Sequence, residues 1–254
     1  MSADDFSGPR LFLEAAFTAG SPVPVERAQA NYLLNVLRLR AGDGVLVFNG
    51  RDGEWRATVE AEGRKGARLG VRELARPQEP RPDLLLLFAP LKHARLDYMV
   101  QKAVEMGASR LQPTLTRRTQ ASRVNLERMR ANAVEAAEQC GILTLPGIEP
   151  EAPLERVLAA LEPERILVFC DEDAPVEDPV ETLRQRGRNP APKLAVVVGP
   201  EGGFTDEERT LVLRHASVVR VSLGPRILRA DTAAVAALAV VQTALGDWGR
   251  SIVA

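Results

Sequence analysis

Two regimes of hydrophobic patterning divide the chain. Up to about residue 74 the apolar positions come in short runs: Arg10–Leu13 and Gly44–Phe48 have the length of short strands, and Gly53 to Val59 alternates after an Asn49-Gly50 turn signal. Between them, Glu26 to Leu39 repeats its apolar residues at helical spacing. From Leu84 the runs become continuous. Leu84 to Ala89 is apolar throughout, as expected of a strand covered on both faces. Leu96, Met99, Val100 and Ala103 then fall on one helical face, closed by Gly107 where a C-cap belongs. Further strands are predicted at Arg110–Leu115, Arg165–Cys170, Leu194–Val198 and Val218–Val221. Helices are predicted at Leu126 to Cys140, roughly Val176 to Arg186, and Glu207 to His215. Strands alternating with helices imply a mostly parallel α/β sheet. Pro77, Pro80 and Pro82 suit neither a helix nor a central strand, so residues 75–82 read as a linker. The expected layout is a β-rich domain over residues 1–74, that linker, and an α/β domain over residues 83–254.

Composition narrows the class without naming it. The chain has 254 residues, 45% hydrophobic and 26% charged, an ordinary globular balance with ample material for a core. The uncharged stretch from Thr232 to Gly246 falls short of the roughly 20 residues a membrane helix needs. The N-terminus, with Asp4 and Asp5, does not resemble a signal peptide. Cys140 and Cys170 with the scattered His93 and His215 suggest neither a disulfide framework nor a metal site, and a cytoplasmic protein is expected. The net charge of −1 hides two opposed blocks. Arg81 to Arg130 holds ten Lys/Arg against four Asp/Glu, and Glu149 to Pro190 holds five against eleven. Each block generates its own surface potential.

Candidate chemistry concentrates in the last third. Gly199-Pro200-Glu201-Gly202-Gly203-Phe204 follows the predicted strand Leu194–Val198, and Thr205 to Glu208 forms a capping-box pattern at the start of the next helix. Strand, glycine-rich loop and helix let backbone amides approach a ligand closely. The segment lacks both the Gly-Lys-Ser/Thr of a Walker loop and the G-x-G-x-x-G spacing of a dinucleotide site. A second such loop, Ser222-Leu223-Gly224-Pro225-Arg226-Ile227-Leu228-Arg229-Ala230-Asp231-Thr232, also lies between a predicted strand and a helix. Two loops of this kind can converge on one crevice at the C-terminal edge of a sheet.

With these loops the chain resembles the bacterial small-subunit (16S) ribosomal RNA uracil-N3 methyltransferases, the E-type enzymes of the SPOUT class. The two C-terminal loops are similar to the family's G-P-E-G-G and L-G-x-R-I-L-R segments. Ala89-Pro90-Leu91-Lys92, Gln101 to Gly107, Glu135 to Gly141, Arg10-Leu11-Phe12 and Asn35 to Leu39 extend the resemblance over most of the chain. One departure is Arg229-Ala230-Asp231-Thr232, where many relatives read R-T-E-T. The resemblance implies a trefoil-knotted methyltransferase domain behind a PUA-like β-barrel, working as a homodimer. It implies S-adenosylmethionine (SAM) bound among three loops, at Cys170, at Gly199, Glu201, Gly202 and Gly203, and at Leu223, Gly224, Ile227 and Leu228.

Loss of the uracil N3 proton leaves negative charge that a cation would stabilise, which points to Arg229; Glu201 and Asp231 are candidate orienting or proton-handling groups. Arg10 and Arg38 in the first domain, with Lys92, Lys102, Arg117 and Arg118 in the second, are candidate phosphate contacts. Aromatics are only 4% of residues, which disfavours a base-stacking platform. The expected partner is small-subunit ribosomal RNA or the assembled small subunit, with no metal and no membrane. Two alternatives remain at this point: a related methyltransferase acting on another RNA or at a ribose 2′-oxygen, and a non-catalytic RNA-binding assembly factor.

Overall fold

A computed structural model describes residues 8–62, 66–80, 82–92, 94–121, 123–175, 177–186 and 192–248. His93 and the expected helix start at Val176 lie outside the described residues. The chain divides into two units: residues up to Pro80 group with Ala137–Leu145, and the rest forms the second unit.

In the first unit a five-stranded sheet runs β1 (Arg10–Phe12), β3 (Gly44–Phe48), β4 (Glu54–Glu62), β5 (Gly66–Arg76) and β2 (Pro22–Pro24). The pairing β1–β3 is parallel and the others are antiparallel. The two prolines of β2 are tolerated because it is an edge strand. Leu11, Leu33, Val47, Leu69 and Val71 fill the core. In place of one continuous helix, α1 (Arg27–Asn31) passes into a wider π-helical turn, Tyr32–Val36, and Arg38 takes a left-handed φ of 58°. Strand β5 runs on to Arg76, two residues into the expected linker, because the Arg76 side chain is held by Glu54 at 2.7 Å and by the Gly141 carbonyl at 3.0 Å.

Arg10 corrects the expectation of a phosphate contact. It is buried and ion-paired to Glu54 at 2.6 Å, a carboxylate with 0% exposure. Its remaining donors reach the carbonyls of Ala137, Glu138 and Ile142. With every nitrogen engaged internally, Arg10 is a structural clasp in the first unit.

The second unit is a parallel sheet in the order β12 (Val218–Val221), β10 (Ile166–Cys170), β11 (Leu194–Val198), β6 (Leu84–Phe88), β7 (Arg110–Leu115) and β8 (Gly147–Ile148), with β9 (Ala152–Pro153) also on β7. Helices α2 (Ala94–Glu105), α3 (Leu126–Gln139), α4 (Leu154–Ala159), α5 (Pro179–Arg184), α6 (Asp206–Leu213) and α7 (Ala230–Ala244) connect or follow the strands. The two-residue strands β8 and β9 and the short α4 are additions to the elements predicted from sequence. Strands β6, β10 and β11 are buried along nearly their whole length, which accounts for their unbroken apolar runs.

Arg165 anchors the start of this sheet. Its side chain is 1% exposed, donates to both oxygens of Asp83 at 2.8 and 2.9 Å, to Glu162 at 2.8 Å, and to the Leu194 carbonyl at 3.0 Å. It therefore ties together the first residues of β6, β10 and β11. These hydrogen bonds hold the carboxyls of Asp83 and Glu162 below the usual carboxylate range. A depressed folded-state pKa contributes stability that is present above the unfolded value, near pH 4, and is lost as pH falls through the folded value. We expect wild-type protein to lose more stability than Arg165→Met as pH falls from about 5 to about 3. Thermal unfolding across that range checks this, and parallel profiles for the two proteins would contradict it.

Candidate cofactor and active site

Because the strands are parallel, the loops leaving β10, β11 and β12 emerge side by side at the C-terminal edge of the sheet. They enclose a cavity of about 280 Å³. Cys170 from the first loop, Gly199, Glu201 and Gly203 from the second, and Leu223, Gly224, Ile227 and Leu228 from the third all line it. Gly202 is not among the lining residues; it faces the Arg118 side chain, whose Cδ lies 3.4 Å from where a Cβ on Gly202 would stand.

The second loop is shaped by close packing. A Cβ on Gly199 would stand 2.5 Å from the Phe204 ring, which meets buried Phe169 edge-on with centroids 5.3 Å apart. Gly203 turns the chain at φ 71°, its N–H bonded to the Pro200 carbonyl at 2.9 Å. The capping box at α6 is present: Thr205 Oγ1 accepts from the Glu208 amide at 3.3 Å, and Glu208 Oε2 accepts from the Thr205 amide at 3.0 Å. The other oxygen of Glu208 accepts from the Arg117 amide at 2.7 Å, tying the α6 cap to the segment after β7. In the third loop Gly224 takes φ 95°, and its N–H reaches Ser222 Oγ at 3.3 Å.

The loop after β10 holds residues that sequence reasoning missed. Buried Asp171 accepts from Arg209 of α6 at 3.1 Å and from Arg220 of β12 at 2.7 Å. Arg209 also pairs with Asp173, and Arg220 donates to the Asp173 carbonyl at 2.6 Å. This cluster binds the loop to two distant elements. The one local signal was an acidic triplet, Asp171-Glu172-Asp173, directly after an apolar strand. Burial, with the neighbouring Asp171 charge, pushes the Cys170 thiol up to about 12, so it lines the cavity as a neutral group and not as a nucleophile.

The expected catalytic residues are distributed around the cavity. Glu201 is exposed and ion-paired with Arg95. Arg229 is the N-cap residue of α7, exposed, next to the lining residue Leu228, and its side chain has no hydrogen bond or ion pair among the described residues. Asp231 sits in the first turn of α7, where its charge favours the helix dipole, and its Oδ1 accepts from the Thr232 amide at 3.0 Å. Neither Arg229 nor Asp231 is a lining residue. Of the expected RNA contacts, Arg38, Lys92, Arg117 and Arg118 are exposed, and Lys102 pairs with Glu105 at 2.7 Å. Arg118 also donates to the Gly202 carbonyl at 2.5 Å. Among the described residues no group of His, Cys, Asp and Glu is arranged to hold a metal ion.

Comparison with known proteins decides the family. Residues 77–242 match the model of an RNA methyltransferase domain, and residues 25–71 that of an RNA methyltransferase PUA domain. A Rickettsia conorii protein named ribosomal RNA small subunit methyltransferase E is 30% identical, covering 92% of this chain and 94% of its own length. A Synechocystis protein of the same name is 34% identical over 93% of this chain and 76% of its own. The chain belongs to the ribosomal RNA small subunit methyltransferase E family. The Neisseria gonorrhoeae member, solved bound to SAM, superposes with a TM-score of 0.83 at 28% identity, covering 95% of this chain and 99% of that one. A methyltransferase from Legionella pneumophila, also solved with SAM, gives 0.82 at 27% identity, covering 93% and 98%.

Gly199→Ala should displace Phe204 from its contact with Phe169. The cost expected of overpacking is about 1–3 kcal/mol, read as a lower midpoint in chemical denaturation. An unchanged midpoint would show that the loop absorbs the methyl group without shifting the ring.

Proposed function

We propose that this chain transfers the methyl group of SAM to N3 of a uridine in small-subunit ribosomal RNA. The observation that carries the reading is the cavity formed by the three loops after β10, β11 and β12, in a chain whose family members are solved with SAM bound. The lining fits such a ligand. Gly199, Gly203 and Gly224 keep backbone close to the cavity, and Leu223 and Leu228 add apolar surface. A C-terminal knot belongs to the same reading. Helix α7 follows β12 at the sheet edge yet packs on α2, α5 and β11, a return path that supports threading.

SAM, when bound, supplies an already activated methyl group, so the protein's work is alignment and the handling of one proton. Uracil N3 attacks only as its proton is lost, which leaves charge on N3 and the flanking carbonyl oxygens. Arg229, with its uncommitted guanidinium, stabilises that charge. Glu201, held by Arg95 at the lip of the cavity, and Asp231 orient the reacting groups around it. Lys92, Arg117 and Arg118 of the second unit and Arg38 of the first supply phosphate contacts, so RNA affinity falls steeply with salt. The chain acts as a homodimer. Supporting this, Val235, Ala236, Ala239 and Val240 form a half-buried apolar face on α7, and Ile227 is 98% exposed. A ribosomal RNA substrate supports a cytoplasmic protein; no helix among the described residues is long and apolar enough to cross a membrane.

Mapping methylated uridines in small-subunit RNA from cells with and without the gene tests the activity. One N3-methyluridine should vanish on deletion and return on complementation, and an unchanged map would refute the assignment. For the catalytic residue, Arg229→Ala should lower the single-turnover rate on the order of 10²–10³-fold, with cofactor affinity and melting temperature little changed. Arg229→Lys should recover only part of the rate, because the ammonium keeps the charge but loses the planar fork. Near-wild-type turnover in Arg229→Ala would leave the residue a surface cation.

A further inference from the structure

Of the five charged residues lining the cavity, Asp171, Glu201 and Arg209 are committed to protein partners, while Glu172 and Arg226 have none among the described residues. Asp171 takes Arg209 and Arg220, Arg209 is shared with Asp173, and Glu201 takes Arg95. Among the lining carboxylates Glu172 is different. It lines the cavity beside Asp171, yet among the described residues its carboxylate has neither a hydrogen bond nor an ion pair. Exposed at the cavity, it lies against the glycine loop: Oε1 is 2.8 Å from the point where a Cβ on Gly203 would stand. Gly203 thus leaves room for this carboxylate against the loop backbone. The nearest cation to that point is Arg118, whose Nη1 is 3.9 Å from it and donates to the Gly202 carbonyl, with no ion pair to Glu172.

We propose that Glu172 receives the α-ammonium group of the methyl donor. This rests on the reading of the cavity as a SAM site. SAM carries two cationic groups, the sulfonium and the α-ammonium. Only the ammonium can donate hydrogen bonds to a carboxylate, and a charge-assisted bond of that kind is among the stronger polar contacts available. The nucleoside end offers only neutral donors, its ribose hydroxyls and adenine amine, so the stronger charge-assisted bond favours the amino-acid end at an unpaired carboxylate. Asp171 cannot take this role, since both of its oxygens already accept hydrogen bonds from within the protein. Glu172 is therefore a binding residue with no part in the proton transfer. It should act on donor and demethylated product alike, because both keep the ammonium.

Glu172→Gln, nearly the same size and uncharged, tests this by calorimetry on the full chain with SAM, S-adenosylhomocysteine and methylthioadenosine. The last keeps the adenosine and the sulfur but lacks the amino-acid end. The expected result is about a tenfold loss of affinity for SAM and for S-adenosylhomocysteine, with methylthioadenosine binding unchanged. An equal loss for all three ligands would overturn the proposal in favour of a contact to the nucleoside or a shaping role for the loop. A loss for SAM alone would overturn it in favour of the sulfonium, and no loss for any ligand would remove Glu172 from the site. Wild-type protein that fails to bind SAM would instead refute the cofactor reading itself, so the two failures are distinguishable.

Discussion

The buried guanidinium of Arg165 is the constraint on which the second unit is organised. Burial works against its charge, and the hydrogen bonds it donates to Asp83 and Glu162 outweigh that penalty, raising its pKa above the ordinary arginine value. The consequence is positional. With the first residues of β6, β10 and β11 gathered on one side chain, parallel pairing delivers the far ends of β10 and β11 to the same edge. The cavity is therefore a product of register. Its walls are loops, but their starting points are set some five residues earlier, where no ligand is involved.

At that edge the protein pairs several of its charges with one another and brings three glycines to the cavity. Asp171, Arg209, Arg220 and Asp173 cancel one another while lashing three elements together. Phe204 lies over Gly199, and Gly203 turns tightly enough for its own amide to close on Pro200. Glycines mark the site because each bulkier choice would strike a ring, a carboxylate or an unfavourable dihedral. Glu172 and Arg226 in the lining, and Arg229 beside it, are the charged groups left without such partners among the described residues.

Much of this was legible from the residues, and the limit has a physical form. The apolar runs of β6 and β11 and the capping box at Thr205 are local signals, readable from neighbours in sequence. The family loops border the cavity, Gly202 apart, and their glycine placement is also local. What escaped was long-range pairing. Nothing near Arg10 announces that its partner is Glu54, 44 residues away, and so it read as an exposed cation. The same applies to Asp171, whose partners lie 38 and 49 residues downstream. The break of the expected helix at Tyr32–Val36 escaped because a π-helical turn is defined by backbone bonds such as that from the Leu37 amide to the Tyr32 carbonyl, which apolar positions do not encode.

Glu208 couples two surfaces to which the proposed function gives separate tasks. One of its oxygens closes the α6 cap directly behind the glycine loop, and the other grips the backbone at Arg117, beside Arg118. Arg118 in turn holds the carbonyl of Gly202. A strand of RNA drawing on these two arginines would thus pull on a short mechanical linkage whose far end is the cofactor loop. On the proposed roles, grip on the polynucleotide and tension in the donor pocket would be borne by the same few bonds.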